Sequence, residues 1–350
     1  MAKEPNLFSH ATSELSQDAF LAWLCEWADE AHALHPSGMH AVGRAFIAWF
    51  YQKKGRPLPE YRSVEVKLQH LHIDVLVILT TALGEKHYLL IEDKTYTSDH
   101  TEQINGYVRS LTETEGIEDT SRILPVYFKS SLEARKRDDH LRLYLPDVVE
   151  FIKSVGQSIG QSEVLRSWCQ MQTDARLSHE RFRSLPMDQW EPAQWRGCFD
   201  RMAQHEVLLA LDAAYEFGPL NKPMVFHLQR NTAPTHWRTY VQIDAHSRSA
   251  ELTFRIAAPH GMKVDGGRTK AAFQAIQATA ASLNQRLVSP ASFTGRGATS
   301  RIAAHAERFV PADGSGIFDE TRFVERVIAG HEILANSAER LQSILVVERM

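Results

Sequence analysis

The runs LHIDVLVIL at residues 71–79 and KHYLLIEDK at residues 86–94 decide how this chain is read. Side chains alternate faces along a strand, so parity sorts each run into two sets. In the first run Leu71, Ile73, Val75, Val77 and Leu79 make an unbroken apolar face, and Asp74 is an acid in mid-strand on the other. In the second, Tyr88, Leu90, Glu92 and Lys94 share one face, whereas Leu89, Ile91 and Asp93 share the opposite one. If the two strands pair, Asp74 sits beside Glu92, with Lys94 projecting from the same strand end.

Two carboxylates held together repel and raise each other's pKa unless a cation joins them. A hard divalent ion, Mg²⁺ or Mn²⁺, suits such a site because it takes oxygen ligands and keeps several waters. Lys94 adds a positive point charge where phosphoryl charge would develop. Asp followed by Glu-x-Lys is therefore a minimal kit for metal-assisted phosphodiester hydrolysis. Glu-x-Lys alone is more often a cross-strand surface pair. Its setting lifts it: an acidic strand before, an apolar strand around it, a helix after.

Outward from these strands, residues 13–34 and 39–53 carry apolar residues at helical spacing, and Gly55, Pro57 and Pro59 stop the second helix. Residues 63–69 add a first strand, residues 101–111 a helix, and residues 122–128 a short β-rich run with Pro125 inside it. In the helix Gln103 and Tyr107 stand at i and i+4 on one face, within reach of a phosphate. The predicted order is helix, helix, three strands, helix, strand.

Taken in order, Asp74, Glu92-Asp93-Lys94 and Gln103-Ile-Asn-Gly-Tyr107 resemble the motifs of the PD-(D/E)xK nuclease superfamily. The Gln-x-x-x-Tyr element is similar to that of the branch containing RecB-type nuclease domains. The element order over residues 13–130 resembles the superfamily's α-β-β-β-α-β core. The resemblance implies an α/β, restriction-endonuclease-like fold in which Asp74, Glu92 and the Asp93 backbone carbonyl hold Mg²⁺ or Mn²⁺. It also makes Lys94 catalytic, with Gln103 and Tyr107 in support. Ile73 stands where the family name has its proline. Members often add an acid from the first helix, and Glu14 is the candidate here, ahead of Asp18. The implied substrate is DNA before RNA, and the implied setting is microbial restriction or defence against phage. The alternatives are an RNA nuclease with the same site and a catalytically idle module that binds nucleic acid or protein.

Beyond residue 153 the segment SVGQSIGQS, at 154–162, has the composition of a linker, which divides the chain into 1–155 and 156–350. The second part reads as an α+β accessory domain: helical over 162–217, then strands at 224–230, 239–244 and 251–257, then helices at 269–287 and 319–335. His70, His72 and Asp74 would share a strand face, a weaker hint of a histidine-rich site.

With 39 Lys+Arg against 43 Asp+Glu the formal charge is −4, so any attraction for a polyanion must be local. Residues 256–310 hold Lys263, Arg268, Lys270, Arg286, Arg296, Arg301 and Arg308 against Asp265 and Glu307 alone. Arg135-Lys136-Arg137 lies near Lys129 and Arg142. These clusters are the candidates for gripping a phosphate backbone without reading sequence.

Cys25, Cys169 and Cys198 form no close pair, which excludes a disulfide framework and a Cys-rich zinc site. No apolar run approaches the roughly 18 residues of a membrane span. No Walker A or His-Glu-x-x-His pattern occurs. A cytoplasmic protein with no membrane partner is expected, with a homodimer left open.

Overall fold

The computed structural model describes residues 6–11, 13–94, 102–133, 140–217, 224–228, 236–293 and 297–346. The chain divides into two compact units, Met1–Leu177 and Ser178–Met350. Each contains one sheet with helices, so the architecture is mixed α/β.

In the first unit the Ser13 side chain accepts the Ser16 N–H and opens α1 (Glu14–Glu26), satisfying a donor that a helix N-terminus leaves unpaired. The helix ends well short of residue 34. Asp29 turns its carboxylate onto the Ala31 N–H, capping a separate short turn, and also takes the Val64 N–H at 2.7 Å. α2 (Met39–Lys54) ends at Gly55, whose φ of +70° supplies a left-handed cap.

β1 (Tyr61–His70), β2 (Ile73–Thr81) and β3 (Lys86–Lys94) make an antiparallel meander. α3 (Glu102–Glu115) then crosses back, so that β4 (Ile123–Lys129) runs parallel to β3 and β5 (Leu141–Leu143) parallel to β4. α4 (Leu145–Ser154) follows, and then α5 (Glu163–Glu180).

Both sheet faces are covered, which explains the nearly continuous apolar run in β2. Val75, Val77, Leu79, Leu89 and Ile91 pack with Leu21 and Leu24 of α1 and with Phe46, Ile47 and Phe50 of α2. Leu76, Ile78 and Leu90 pack on the other side with Val108 and Leu111 of α3. Each such side chain contributes about 1.5–3 kcal/mol when fully buried.

Strict parity fails at the start of β2. Ile73 belongs to the α3-side cluster, whereas Val75 faces α1 and α2. Leu71 and His72 lie in the turn before the strand, at φ +55° and +67°. His72 therefore does not continue a strand face shared with His70 and Asp74, and the histidine-rich reading is set aside.

The expected linker is structured. Residues Gly156–Gln161 form a 3-10 helix, and Leu165, Trp168 and Cys169 of α5 belong to the first unit's core. Packing of these large side chains outweighs the small, polar composition, and the unit boundary falls at 177, not 155.

The second unit contains α6 (Pro192–Ala203), α7 (Glu206–Ala210), β6 (Ala213–Phe217), β7 (Met224–Leu228), β8 (Arg238–His246) and β9 (Ser249–Ala257). α8 (Gly266–Ser282), β10 (Leu287–Val288), β11 (Thr299–His305), α9 (Glu320–Asn336) and α10 (Ala338–Val346) complete it. Its sheet is antiparallel in the order β10-β11-β9-β8-β7-β6. β6 lies in a stretch expected to be helical. Trp190 and Trp195 are buried in an aromatic cluster with Phe199, Phe318 and Phe323.

Candidate active site

The β2–β3 register pairs Val75 with Ile91, which puts Asp74 and Glu92 next in line where the ladder ends. Asp74 Oδ2 accepts the Asp93 N–H there at 2.9 Å, so a side chain replaces the next rung. Lys94 Nζ lies 2.6 Å from Glu92 Oε1 and 3.5 Å from Asp74 Oδ2. The three residues of the motif are thus in one cluster. From α3, Gln103 Nε2 donates to the Tyr107 hydroxyl, and the Tyr107 phenol senses the charges of Glu92, Asp74 and Lys94.

The Asp93 side chain points to the opposite face, as parity requires. Gln17 Nε2 donates to Asp93 Oδ1, and the Asp18 carboxyl faces the Asp93 carboxyl. Gln69 Nε2 bridges Asp74 Oδ1 at 3.1 Å and Asp18 Oδ2 at 3.4 Å. Glu14, one helical turn before Asp18, acts on Asp18 and Lys94 through its charge. Asp18, ranked second to Glu14 from sequence, is the α1 carboxylate that meets Asp93.

Burial pushes the Glu92 carboxyl up to about 7, with the Lys94 hydrogen bond opposing it and the Asp74 charge adding to it. Burial likewise raises Asp18 to about 6, helped by Asp74. Asp93 is held well above the carboxylate range by burial, against its Gln17 hydrogen bond, and then by Asp18 and Asp74. For Lys94 burial favours the neutral amine, but the Glu92 hydrogen bond and charge outweigh it and hold the group above the ordinary lysine range. Lys94 is therefore a cation at neutral pH and has no lone pair to act as a base.

Among the described residues no group of three or more His, Cys, Asp or Glu side chains is arranged around a common metal position. The Lys94 ammonium occupies the space between the two carboxylates. The donor chemistry nonetheless fits a hard divalent cation. Every candidate ligand is an oxygen, and Glu92 Oε2, Asp93 Oδ2 and Asp18 Oδ1 are buried without a hydrogen-bond partner. Unpartnered buried oxygens are costly and mark where a cation or proton is wanted.

The basic residues fare unevenly. Lys129 is 3% exposed and ion-paired with Glu133 at 3.1 Å, so it is an interior residue and not part of a backbone-gripping face. Its place in β4, buried on both sides, explains this. Arg268 pairs with Asp265, the cap of its own helix, at 2.9 Å and lies over the Trp237 ring. Arg301 pairs with Glu251 at 3.0 Å. Lys263 and Lys270 are exposed. Arg135, Lys136, Arg137 and Arg296 lie outside the described residues.

Comparison with models of known families, with curated proteins and with solved structures gives no match to this chain. Among the described residues no helix is long and apolar enough to cross a membrane.

Gln17, Gln69 and Tyr127 were not singled out from sequence. Gln17 stands three residues from Glu14 and next to Asp18, a helical spacing that could have exposed it. Gln69 carries no such signal, because its role depends on a turn. Tyr127 is opposite Glu92 in the β3–β4 register and donates to Glu133 at 2.7 Å.

Proposed function

We propose that the first unit is a metal-dependent phosphodiesterase of the PD-(D/E)xK type, acting on nucleic acid and on DNA before RNA. The observation that carries the reading is the single cluster of Asp74, Glu92 and Lys94 at the end of the β2–β3 ladder, faced by Gln103 and Tyr107. The element order α-β-β-β-α-β around it supports the same reading. Mg²⁺ or Mn²⁺, when bound, supplies Lewis-acid stabilisation of the phosphoryl charge.

The chain's own groups have separable parts. Asp74 and Glu92 would hold the ion, and the Asp93 N–H fixes the Asp74 carboxylate against β3. Lys94 Nζ donates to a non-bridging phosphoryl oxygen and offsets the charge that grows there in the transition state. Burial keeps the Tyr107 phenol protonated, against the Gln103 hydrogen bond, so it is a donor toward the same phosphate. The accessory unit contributes exposed cations such as Lys263 and Lys270 for a sequence-independent grip. A role in restriction or anti-phage defence is the setting in which such an activity fits.

Purified protein incubated with supercoiled, linear and single-stranded DNA and with RNA, in Mg²⁺, Mn²⁺ or EDTA, tests the proposal. Cleavage that needs the ion is expected, and cleavage that persists in EDTA would overturn it. The position of Lys94 between the carboxylates favours one second reading, an idle fold that binds without cleaving. Uptake of DNA with no cleavage in either ion would select it.

Glu92 supplies a pH signature. Its folded pKa of about 7 exceeds the ordinary 4.5, so the folded state holds this proton more tightly than the unfolded chain. That contribution is complete below pH 4.5 and is lost as pH rises through about 7. At about 1.4 kcal/mol per pH unit the loss is roughly 3 kcal/mol. Urea denaturation of metal-free protein is expected to show wild type falling relative to Glu92→Gln between pH about 4.5 and about 8. Mg²⁺ is expected to raise Tm more at pH about 8 than at about 5, because ion and protons compete for the same oxygens. Equal Mg²⁺ shifts at both values would speak against these carboxylates as ligands.

A further inference from the structure

The end of β1 and the turn into β2 place three non-glycine residues in the left-handed region, Gln69 at φ +53°, Leu71 at +55° and His72 at +67°. Side chains rarely adopt that conformation, and a Gly, Asn or Asp at these positions would relieve the strain. Such strain persists when the surrounding structure enforces it, and it concentrates at functional sites. Here it coincides with a specific contact. The Gln69 amide reaches two carboxylates from different elements, Asp74 Oδ1 of β2 at 3.1 Å and Asp18 Oδ2 of α1 at 3.4 Å.

The other Asp74 oxygen is already committed. Oδ2 takes the Asp93 N–H at 2.9 Å and faces Lys94 Nζ at 3.5 Å. Without Gln69 the carboxyl plane could rotate about that one anchored oxygen. With it, donors from the end of β1 and from β3 fix both oxygens, and α1 is tied to the same point through Asp18. An Asn side chain is one methylene shorter and a Gly has none, so neither unstrained choice spans the two carboxylates.

We propose that Gln69 is the positioning residue of the cation site: its left-handed backbone aims an amide that sets the Asp74 carboxylate and ties α1 to it. The inference rests on the cation-site reading above. It acts through Asp74 and requires no contact between Gln69 and the substrate.

The test is Mn²⁺ titration of the full chain, with free Mn²⁺ followed by electron paramagnetic resonance, on wild type, Gln69→Gly, Gln69→Asn and Asp74→Asn. Urea denaturation and steady-state cleavage of DNA accompany it. Gln69→Gly is expected to bind Mn²⁺ at least about 10-fold more weakly, the usual scale for loss of a group that orients a metal ligand. Its unfolding midpoint is expected to be equal to or above wild type, because the strained position is relieved. Its kcat is expected to fall while KM for DNA stays unchanged. Gln69→Asn, which keeps both an amide and tolerance of positive φ, is expected to fold as well as Gln69→Gly and to lose Mn²⁺ affinity.

Mn²⁺ affinity within about twofold of wild type in Gln69→Gly would overturn the inference. So would a fall of midpoint and affinity together in both Gln69 variants, which is what a merely structural residue would give. Loss of Mn²⁺ in Asp74→Asn beside full retention in Gln69→Gly would sink this inference and leave the cation site standing. A wild type that takes up no Mn²⁺ overturns the site, and the inference with it.

Discussion

If the first unit is the nuclease proposed above, Lys94→Ala is expected to lose roughly 10³-fold in cleavage rate, the scale seen when one donor to a developing oxyanion is removed. The same variant is expected to lose about 3 kcal/mol of stability at neutral pH, because a buried ion pair would keep one partner and lose the other. Glu92 is 1% exposed and has Lys94 at 2.6 Å, and Asp74 has the same ammonium at 3.5 Å. Removing the ammonium leaves two neighbouring carboxylates with no cation between them. Protonation offers the way out: without Lys94, which lowers it, the Glu92 pKa rises above about 7, so the stability deficit is expected to shrink as pH falls toward about 7 and to level off below it. Mg²⁺ is expected to restore stability to the variant but not its rate. Single-turnover cleavage and urea denaturation at two pH values measure both effects. A Lys94→Ala protein that cleaves at the wild-type rate removes Lys94 from the chemistry.

Gly43→Ala is expected to destabilise the first unit strongly. A Cβ at Gly43 in α2 would stand 2.7 Å from Ala28 N, 2.8 Å from the Leu24 carbonyl oxygen and 2.9 Å from Trp27 C. All three are backbone atoms at the end of α1, so no side chain can turn aside and one helix must move. Loss of roughly 3 kcal/mol is expected, at the upper end of ordinary overpacking. Gly106 in α3 is the control, since a Cβ there meets nothing within 4 Å. Gly106→Ala is expected to gain up to about 1 kcal/mol from helix propensity. Chemical denaturation of the two variants should therefore move the first unit's transition in opposite directions. A neutral Gly43→Ala would mean that the α1–α2 crossing is looser than these distances imply.

Much of the first unit could be read from residues 61–94, because alternation of apolar side chains is strong there and short polar gaps separate the runs. Asp74, Glu92 and Lys94 were legible for the same reason: they are polar residues where an apolar strand should continue. Parity failed at Ile73, which lies beyond the first β2–β3 pair at Val75, and nothing in residue type announces the left-handed Gln69 at the end of β1. Helix periodicity places Glu14 and Asp18 on one face of α1 and cannot say which turn meets β3. Lys129 looked like part of a basic surface, and only the parallel β3–β4 pairing reveals that it is interior. The short β6 and β10 have too few residues for a period to show.

The pairing of Val75 with Ile91 has an implication for how this chain can change over generations. Adding or deleting one residue between Thr80 and Glu85 would slide β3 by a single step against β2 and turn its side chains over. Deletion would bring Asp93, and insertion Ile91, opposite Asp74 in place of Glu92, and Lys94 would be carried to the other face. A slide of two keeps the faces but sets Leu90 or Lys94 opposite Asp74, so it too loses the Glu92 partner. Descendants that keep the proposed site should therefore hold the Val75–Ile91 pairing fixed, and a slipped register should mark a lineage that has lost it.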